Sequence, residues 1–399
     1  MTPGMEDTRK KILAIEDELK SFLVEREGPI HGLTLALLSQ TNILFLGSPG
    51  TAKSMLVKEY AKRVASSSYF EWLLTKFSTP DEVFGPISAK GLEDDHYRRI
   101  TSGKLPEKLF AFLDEIFKSN SGMLNSLLPT LCERIFYNDG QAVPIPLICL
   151  VGASNEIPDE DDQLQALYDR FHLKYHVQPI QEQDQFLRML KMIDIPEPET
   201  YLTLDEIKAC QIDINTVNIG DGILNIFSKI RTALNKEGIV VTDRTYKVAT
   251  KIVRAEAWLS GNKSVDESHF EILQHLFWQD PDKIRKVQSI ILDLTNPEKN
   301  KIQEIYGMCV NLINQIKSLP EHRDRHEQGI SSVEKLRAAQ TEMDAHRKIM
   351  LKKKKEVKEV DLLITEVNSM LLYLFNECCG IKMGLVELTK LKQNENNQQ

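Results

Sequence analysis

Six cysteines in 399 residues, none in a C-x-x-C pair or at a histidine-linked metal spacing, give this chain no disulfide framework and no zinc motif. Cys132, Cys149, Cys210, Cys309, Cys378 and Cys379 are expected as reduced thiols in a cytoplasmic protein, the last two packed in a helix. No apolar run approaches the ~20 residues of a membrane-spanning helix. Positive charge is also short. Fifty Lys and Arg against 58 Asp and Glu leave a net charge of −8, and no aromatic–basic stripe is present, which argues against general nucleic-acid binding. The first 26 residues set Ile12, Ile15, Leu19 and Phe22 among charges, an amphipathic helical spacing rather than that of a leader. Internal repeats are lacking, and a hydrophobic content of 42% suffices for two to three domains.

What is present is a phosphate cradle. Gly47-Ser48-Pro49-Gly50-Thr51-Ala52-Lys53-Ser54 follows the apolar run Ile43-Leu44-Phe45-Leu46, in the order strand, glycine-rich turn, helix. Glycines let successive N–H groups face a polyphosphate, Lys53 adds charge toward the β/γ-phosphates, and the Ser54 hydroxyl suits Mg²⁺. The following helix turns its positive end to the same anion. Ala52 departs from G-x-x-x-x-G-K-[ST], which has glycine there. Read alone, the segment also fits a plain strand-to-helix turn.

Sixty residues on, Leu109–Leu113 is a second strand-length apolar run, ending in Asp114-Glu115. Carboxylates at the C-terminal edge of a buried strand stand where open α/β sheets bind ligands. Asp114 is assigned to the Mg²⁺ shell and Glu115 to the attacking water as general base. A third run, Leu147–Ser154, ends in Asn155, which either contacts the γ-phosphate or water, or simply forms a turn.

These segments, with Phe77–Pro86, Tyr97–Thr101, Phe112–Lys118 and Ala166–Phe171, resemble the MoxR group of AAA+ ATPases, the RavA branch most of all. The Ala-Lys-Ser ending of the phosphate loop is usual in that group. The resemblance covers about residues 10–295 and implies ATP with Mg²⁺ as cofactors and a homo-oligomeric ring, hexameric in the family's usual manner. It further implies ATP turnover that remodels or activates a protein partner, often one with a von Willebrand A-type domain. Arg170 matches the arginine finger given to the neighbouring site, against the alternative of a salt-bridged helix-end residue; Arg134 competes for the role. Arg244, behind the expected N-cap Thr242, matches the lid arginine that contacts ATP of the same chain. Residues 134–146 contain the hairpin signal Tyr137-Asn138-Asp139-Gly140, and residues 78–106 carry the family's other insertion. A nucleic-acid motor and a nucleotide-stabilised scaffold are the other function classes; the acidic balance weighs against the first, and intact Lys53, Asp114 and Glu115 against the second.

The organisation expected is an α/β phosphate-loop core, a parallel sheet with helices on both faces, over residues 1–190. An all-helical lid follows over 191–297, then a helical C-terminal arm over 298–399. In the arm, Ile302 to Leu319 and Val360 to Leu374 each space apolar residues at three and four. Pro320 and the charged Glu321–Gln328 stretch would separate them as a hairpin of antiparallel helices. The arm either packs on its own lid or recruits a partner. Lys352–Lys355 reads as a solvated helix face, and Asn394–Gln399 as a frayed end.

Overall fold

Two helices lead into the sheet. α1 (Pro3–Phe22) buries Ile12, Ile15 and Leu19 along one stripe. α2 (Glu27–Ser39) is apolar on nearly every side and lies in the interior, with Ile30, Leu33, Ala36 and Leu37 fully covered. The computed structural model describes residues 3–158, 162–319, 322–353 and 355–380. The chain divides into two compact units, Met1–Val287 and Gln288–Gln399.

Among the described residues, seven strands lie in the first unit: β1 (Ile43–Leu46), β2 (Tyr69–Leu73), β3 (Phe110–Asp114), β4 (Ile135–Asn138), β5 (Gln141–Pro144), β6 (Cys149–Ser154) and β7 (Leu173–His176). Five form a parallel sheet in the order β2-β3-β6-β1-β7. β1 and β6 are buried at every residue and β3 at all but its last, which is why they read as unbroken apolar runs. Because the strands are parallel, Leu46, Asp114, Ser154 and His176 all end on one edge of the sheet. The opposite edge lies roughly 13 Å away along β1, four residues at about 3.3 Å each.

α3 (Lys53–Lys62) leaves β1. The insertion before β3 holds two single-turn helices, α4 (Pro80–Phe84) and α5 (Ala89–Glu93). α6 (Ser121–Glu133) is capped by Asn120, whose side chain accepts the Met123 N–H at 3.0 Å. The hairpin signal is realised as antiparallel β4 and β5, with Asp139 and Gly140 at φ 54° and 73° in the turn. Asp139 fastens this hairpin to the preceding insertion: its carboxylate accepts the Tyr97 N–H at 2.8 Å and meets His96 Nδ1 at 2.7 Å.

α7 (Asp162–Tyr168) precedes β7, and α8 (Gln183–Lys191) follows it. Then come α9 (Leu204–Ile214), opened by a Thr203–Glu206 capping box, α10 (Asp221–Lys236) and α11 (Asp243–Leu259). Thr242 is the N-cap of α11, accepting the Thr245 N–H at 3.3 Å. Helices expected as a lid thus share one compact unit with the sheet. Arg9 Nη1 donates to Leu259 O at 2.9 Å and Gln211 Nε2 to Leu37 O at 2.8 Å across that junction.

α12 (Ile284–Thr295) crosses into the second unit. That unit is helical, but beyond α12 the expected two-helix hairpin is corrected to three α-helices among the described residues: α13 (Pro297–Ser318), α14 (His322–Lys352) and α15 (Lys358–Tyr373), the last running on into a π-helical turn, Leu374–Cys378. From His322 on, the stretch taken as a charged separator is already helix. The three share one core, Ile302, Ile305, Ile313 and Ile316 meeting Leu336, Met343 and Met350, and Val360, Val367 and Leu371. Pro320, Glu321, Lys354 and the Asn394–Gln399 tail lie outside the described residues.

Candidate functional site

The phosphate loop turns at the C-terminal end of β1. Gly47 has φ 144°, and a Cβ there would come within 2.1 Å of Val177 O, so only glycine fits. Its N–H donates to Ser154 O at 3.0 Å, tying the loop to β6. Gly50 has φ 80° on the exposed side of the Ser48-Pro49-Gly50 turn, where a Cβ would meet nothing within 4 Å. Ala52 lies in the left-handed region at φ 63° as the residue before α3. Here the usual glycine relieves a real strain, and alanine is the smallest side chain that bears it.

Lys53 opens α3 and is buried. Its Nζ donates to Gly47 O at 2.7 Å and Ser48 O at 2.8 Å, both carbonyls of its own loop. Burial lowers its pKa, while the charges of Asp114 and Glu115 oppose that and Arg26 adds to it. The two acids therefore act on the loop's lysine from the end of β3, across β6. Ser54 is next along the helix and half-buried.

Asp114 ends β3, and its Oδ1 accepts the Glu115 N–H at 3.0 Å. Glu115 has φ 51°, a strained value for a side chain of this size and of the kind that gathers at functional sites. Its Oε2 is buried without a hydrogen-bond donor among the described residues; the Lys118 ammonium stands 3.3 Å off. Asn155 follows β6 and is exposed. The cradle, the Glu115 oxygen that accepts no hydrogen bond and the hard oxygen donors of Ser54 and Asp114 suit a magnesium-bound polyphosphate. Among the described residues no group of three or more His, Cys, Asp or Glu could hold a metal ion. A cation here would therefore take most of its ligands from phosphate and water.

Arg170, Arg134 and Arg244 are not brought to this edge. Asn42, just before β1, donates to Leu131 O and Arg170 O, both at 3.1 Å, which fixes these residues at the opposite edge of the sheet. The half-buried Arg170 donates through Nε to Cys132 Sγ at 2.9 Å and through Nη1 to Ala166 O at 3.1 Å, with no carboxylate partner among the described residues. Arg134 turns back on its own helix, to Thr130 O and Leu131 O at 3.2 and 3.3 Å. Thr242 and Thr245, at the start of α11, line one crevice with Asp169 and His172, so Arg244 stands near the same edge. Burial, then the charges of Lys174, Arg244, Arg170 and Lys251, lower the His172 pKa to about 4. Three cations, Arg244, Arg170 and Lys251, thus face a neutral imidazole, beside Lys174, whose own pKa burial lowers to about 7. The expected contact of Arg244 with ATP of its own chain is not what this placement brings together.

Comparison with known proteins agrees with the fold. Residues 10–213 match the model of the MoxR domain in the MoxR-vWA-beta-propeller ternary systems, and residues 222–291 match an AAA lid domain. The chain belongs to the MoxR group of AAA+ ATPases. Two uncharacterized proteins of Methanocaldococcus jannaschii, MJ0079 and MJ0812, are each 37% identical to this MoxR chain. The first match spans 78% of this chain and 82% of the relative, the second 77% and 82%. The chaperone MoxR1 of Mycobacterium tuberculosis is 27% identical over 43% of this chain and 46% of its own. In fold, the chain is similar to the crystal structure of a candidate ATPase from Cytophaga hutchinsonii. The TM-score is 0.60 at 18% identity, covering 73% of this chain and 96% of that one.

Sequence reasoning missed one residue of this MoxR site. Arg26, between α1 and α2, is buried and donates from Nε to Thr51 O at 3.1 Å, inside the phosphate loop. It also lines a cavity of about 210 Å³ beside the loop, with Glu25, Pro29, His176, Gln178 and Gln181. An arginine in a helix linker gives no local signal; the Glu25-Arg26 pair reads as ordinary surface charge.

Proposed function

We propose that this MoxR chain hydrolyses ATP at sites shared between adjacent copies of a ring, hexameric by resemblance, and uses the turnover to remodel or activate a protein partner. One observation carries the reading. The phosphate loop and its acids sit at one edge of the sheet, and an excess of cations led by Arg170 and Arg244 sits at the other. A single copy does not unite them; head-to-tail copies do.

Bound ATP with magnesium supplies the electrophilic γ-phosphoryl group. The backbone N–H groups of Gly50–Ser54 and the Lys53 ammonium hold the phosphates, with Lys53 exchanging its loop carbonyls for them. Ser54 and Asp114 hold the cation. Glu115 Oε2 orients the attacking water and takes its proton, and Asn155, exposed after β6, orients the same water or the γ-phosphate. From the neighbouring copy Arg170 stabilises developing charge, an effect worth roughly 10³–10⁵ in rate in related phosphoryl transfers. Arg244 is assigned to that same neighbouring site. Arg134, spent on its own helix end, is the weaker candidate.

The matched family model supports a partner carrying a von Willebrand A-type domain, with a β-propeller as a further member of the system. The RavA likeness rests on the motif residues alone. No described helix is long and apolar enough to cross a membrane. The cytoplasmic assignment rests on the six cysteines, which form no disulfide framework or metal spacing. The test is magnesium-dependent ATP turnover by wild type and Glu115→Gln. Wild type should turn over, and the variant should bind ATP with turnover lost. Equal turnover by both would remove Glu115 from its role.

A further inference from the structure

The guanidinium of Arg26 makes three hydrogen bonds, all to backbone carbonyls: Nε to Thr51 O at 3.1 Å, Nη1 to Glu25 O at 2.7 Å and Nη2 to Gln178 O at 2.8 Å. The side chain is almost fully enclosed, yet no carboxylate lies within ion-pairing distance among the described residues. Its neighbour Glu25 is committed elsewhere, accepting the N–H groups of Gln181 and Glu182 at 2.8 and 2.9 Å. A buried cation without a directly paired anion is costly, and burial lowers the pKa of this arginine against the opposing charges of Glu25 and Glu27.

Each bond has a consequence for the loop. The peptide joining Thr51 to Ala52 is planar and trans, so holding the Thr51 carbonyl toward Arg26 sends the Ala52 N–H in the opposite direction. The left-handed φ of Ala52 fits that reversal, which makes a concave run of N–H groups. The bond to Gln178 fixes the exit of β7, where Val177 O closes against Gly47. One side chain therefore braces both ends of the cradle. Its charge also adds to the positive field around Lys53.

We propose that Arg26 is a positioning residue for the polyphosphate. It orients the Thr51–Ala52 peptide for phosphate binding and leaves a positive charge whose counter-ion is the nucleotide itself. The proposal rests on the phosphate-loop reading above and adds to it a residue outside the motif. The strength of the ligand interaction then depends on both the clamp and the charge, which substitutions separate. Lysine keeps the charge and loses the three-carbonyl fork; glutamine keeps an N–H donor and loses the charge.

The experiment measures Kd for magnesium–ATP and magnesium–ADP by calorimetry on the full-length wild type, Arg26→Gln, Arg26→Lys and Lys53→Ala. Thermal unfolding without nucleotide is followed in parallel. Arg26→Gln should raise Kd for ATP about 10-fold or more, the scale of a charge-assisted hydrogen bond. The loss for ADP should be smaller, and Arg26→Lys should recover part of the ATP affinity. A role in folding alone would lower the unfolding midpoint and leave Kd unchanged. Wild-type Kd for both nucleotides in both Arg26 variants overturns the proposal while Lys53→Ala still loses affinity. If Lys53→Ala also binds as wild type does, it is the phosphate-loop reading that has failed. Should Arg26→Gln not fold, Arg26→Lys decides: an unchanged ATP affinity with an unchanged ATP-to-ADP ratio overturns the clamp.

Discussion

His31 Nε2 lies 2.7 Å from the Glu256 carboxylate, joining α2 of the core to α11 of the lid. The other ring nitrogen, Nδ1, meets Glu16 at 3.0 Å, so the imidazole is held between two acids. Burial disfavours the imidazolium, but Glu256 and Glu16 outweigh it and raise the His31 pKa to about 10. For Glu16, burial is likewise outweighed, by His31 first and then Lys20 and Thr34, and its pKa falls to about 2.

The sign of the pH dependence follows. His31 is stabilised in its charged form, so its contribution is complete below its ordinary value of 6.5 and disappears as pH rises through about 10. The Glu16 contribution is complete above 4.5 and disappears as pH falls through about 2. His31→Gln should therefore lower the thermal midpoint most between about pH 4.5 and 6.5, by an amount worth roughly 3 kcal/mol. The gap to wild type should shrink steadily above pH 7. Unfolding scans of both proteins from pH 4 to pH 10 check this; a gap that widens toward pH 10 would contradict it.

The loop glycine and alanine make opposite predictions. Gly47→Ala drives a methyl group into Val177 O in a left-handed backbone, which should cost roughly 2 kcal/mol or more of stability and most nucleotide affinity. Ala52→Gly relieves a left-handed alanine at the expense of unfolded-chain entropy and should gain about 0.5 kcal/mol. Denaturant titrations with and without nucleotide measure both. An unaffected Gly47→Ala would mean that the cradle is looser than its geometry.

What was legible in the sequence, and what was not, divides by distance along the chain. Gly47–Ser54 and Asp114-Glu115 could be read because each is a local run whose chemistry depends on an adjoining buried strand. Arg26 could not, because its partners Thr51 and Gln178 lie 25 and 152 residues away and take part only through their carbonyls. The edge on which Arg244 stands depends on the course of α11 over the sheet, which no motif encodes. Helix α14 is hard to read from sequence because its inward face alternates Leu336, Met343 and Met350 with Gly329, Ser332 and Gln340. Ser332 and Gln340 are buried nonetheless. Gly329 is there for contact, since a Cβ would meet that of Cys378 at 2.3 Å. A seam so diluted shows little apolar periodicity.

The central claim is that the active site is completed by a second copy, and a mixing assay tests it most directly. Arg170→Ala and Glu115→Gln should each be inactive alone. Mixed, they form some interfaces in which an intact Arg170 faces an intact Glu115, and ATP turnover should reappear with a maximum at an intermediate ratio. The same recovery is expected for Arg244→Ala with Glu115→Gln. If subunit exchange is demonstrated and turnover stays at the level of the inactive parents across every ratio, the site is not shared and the account is wrong.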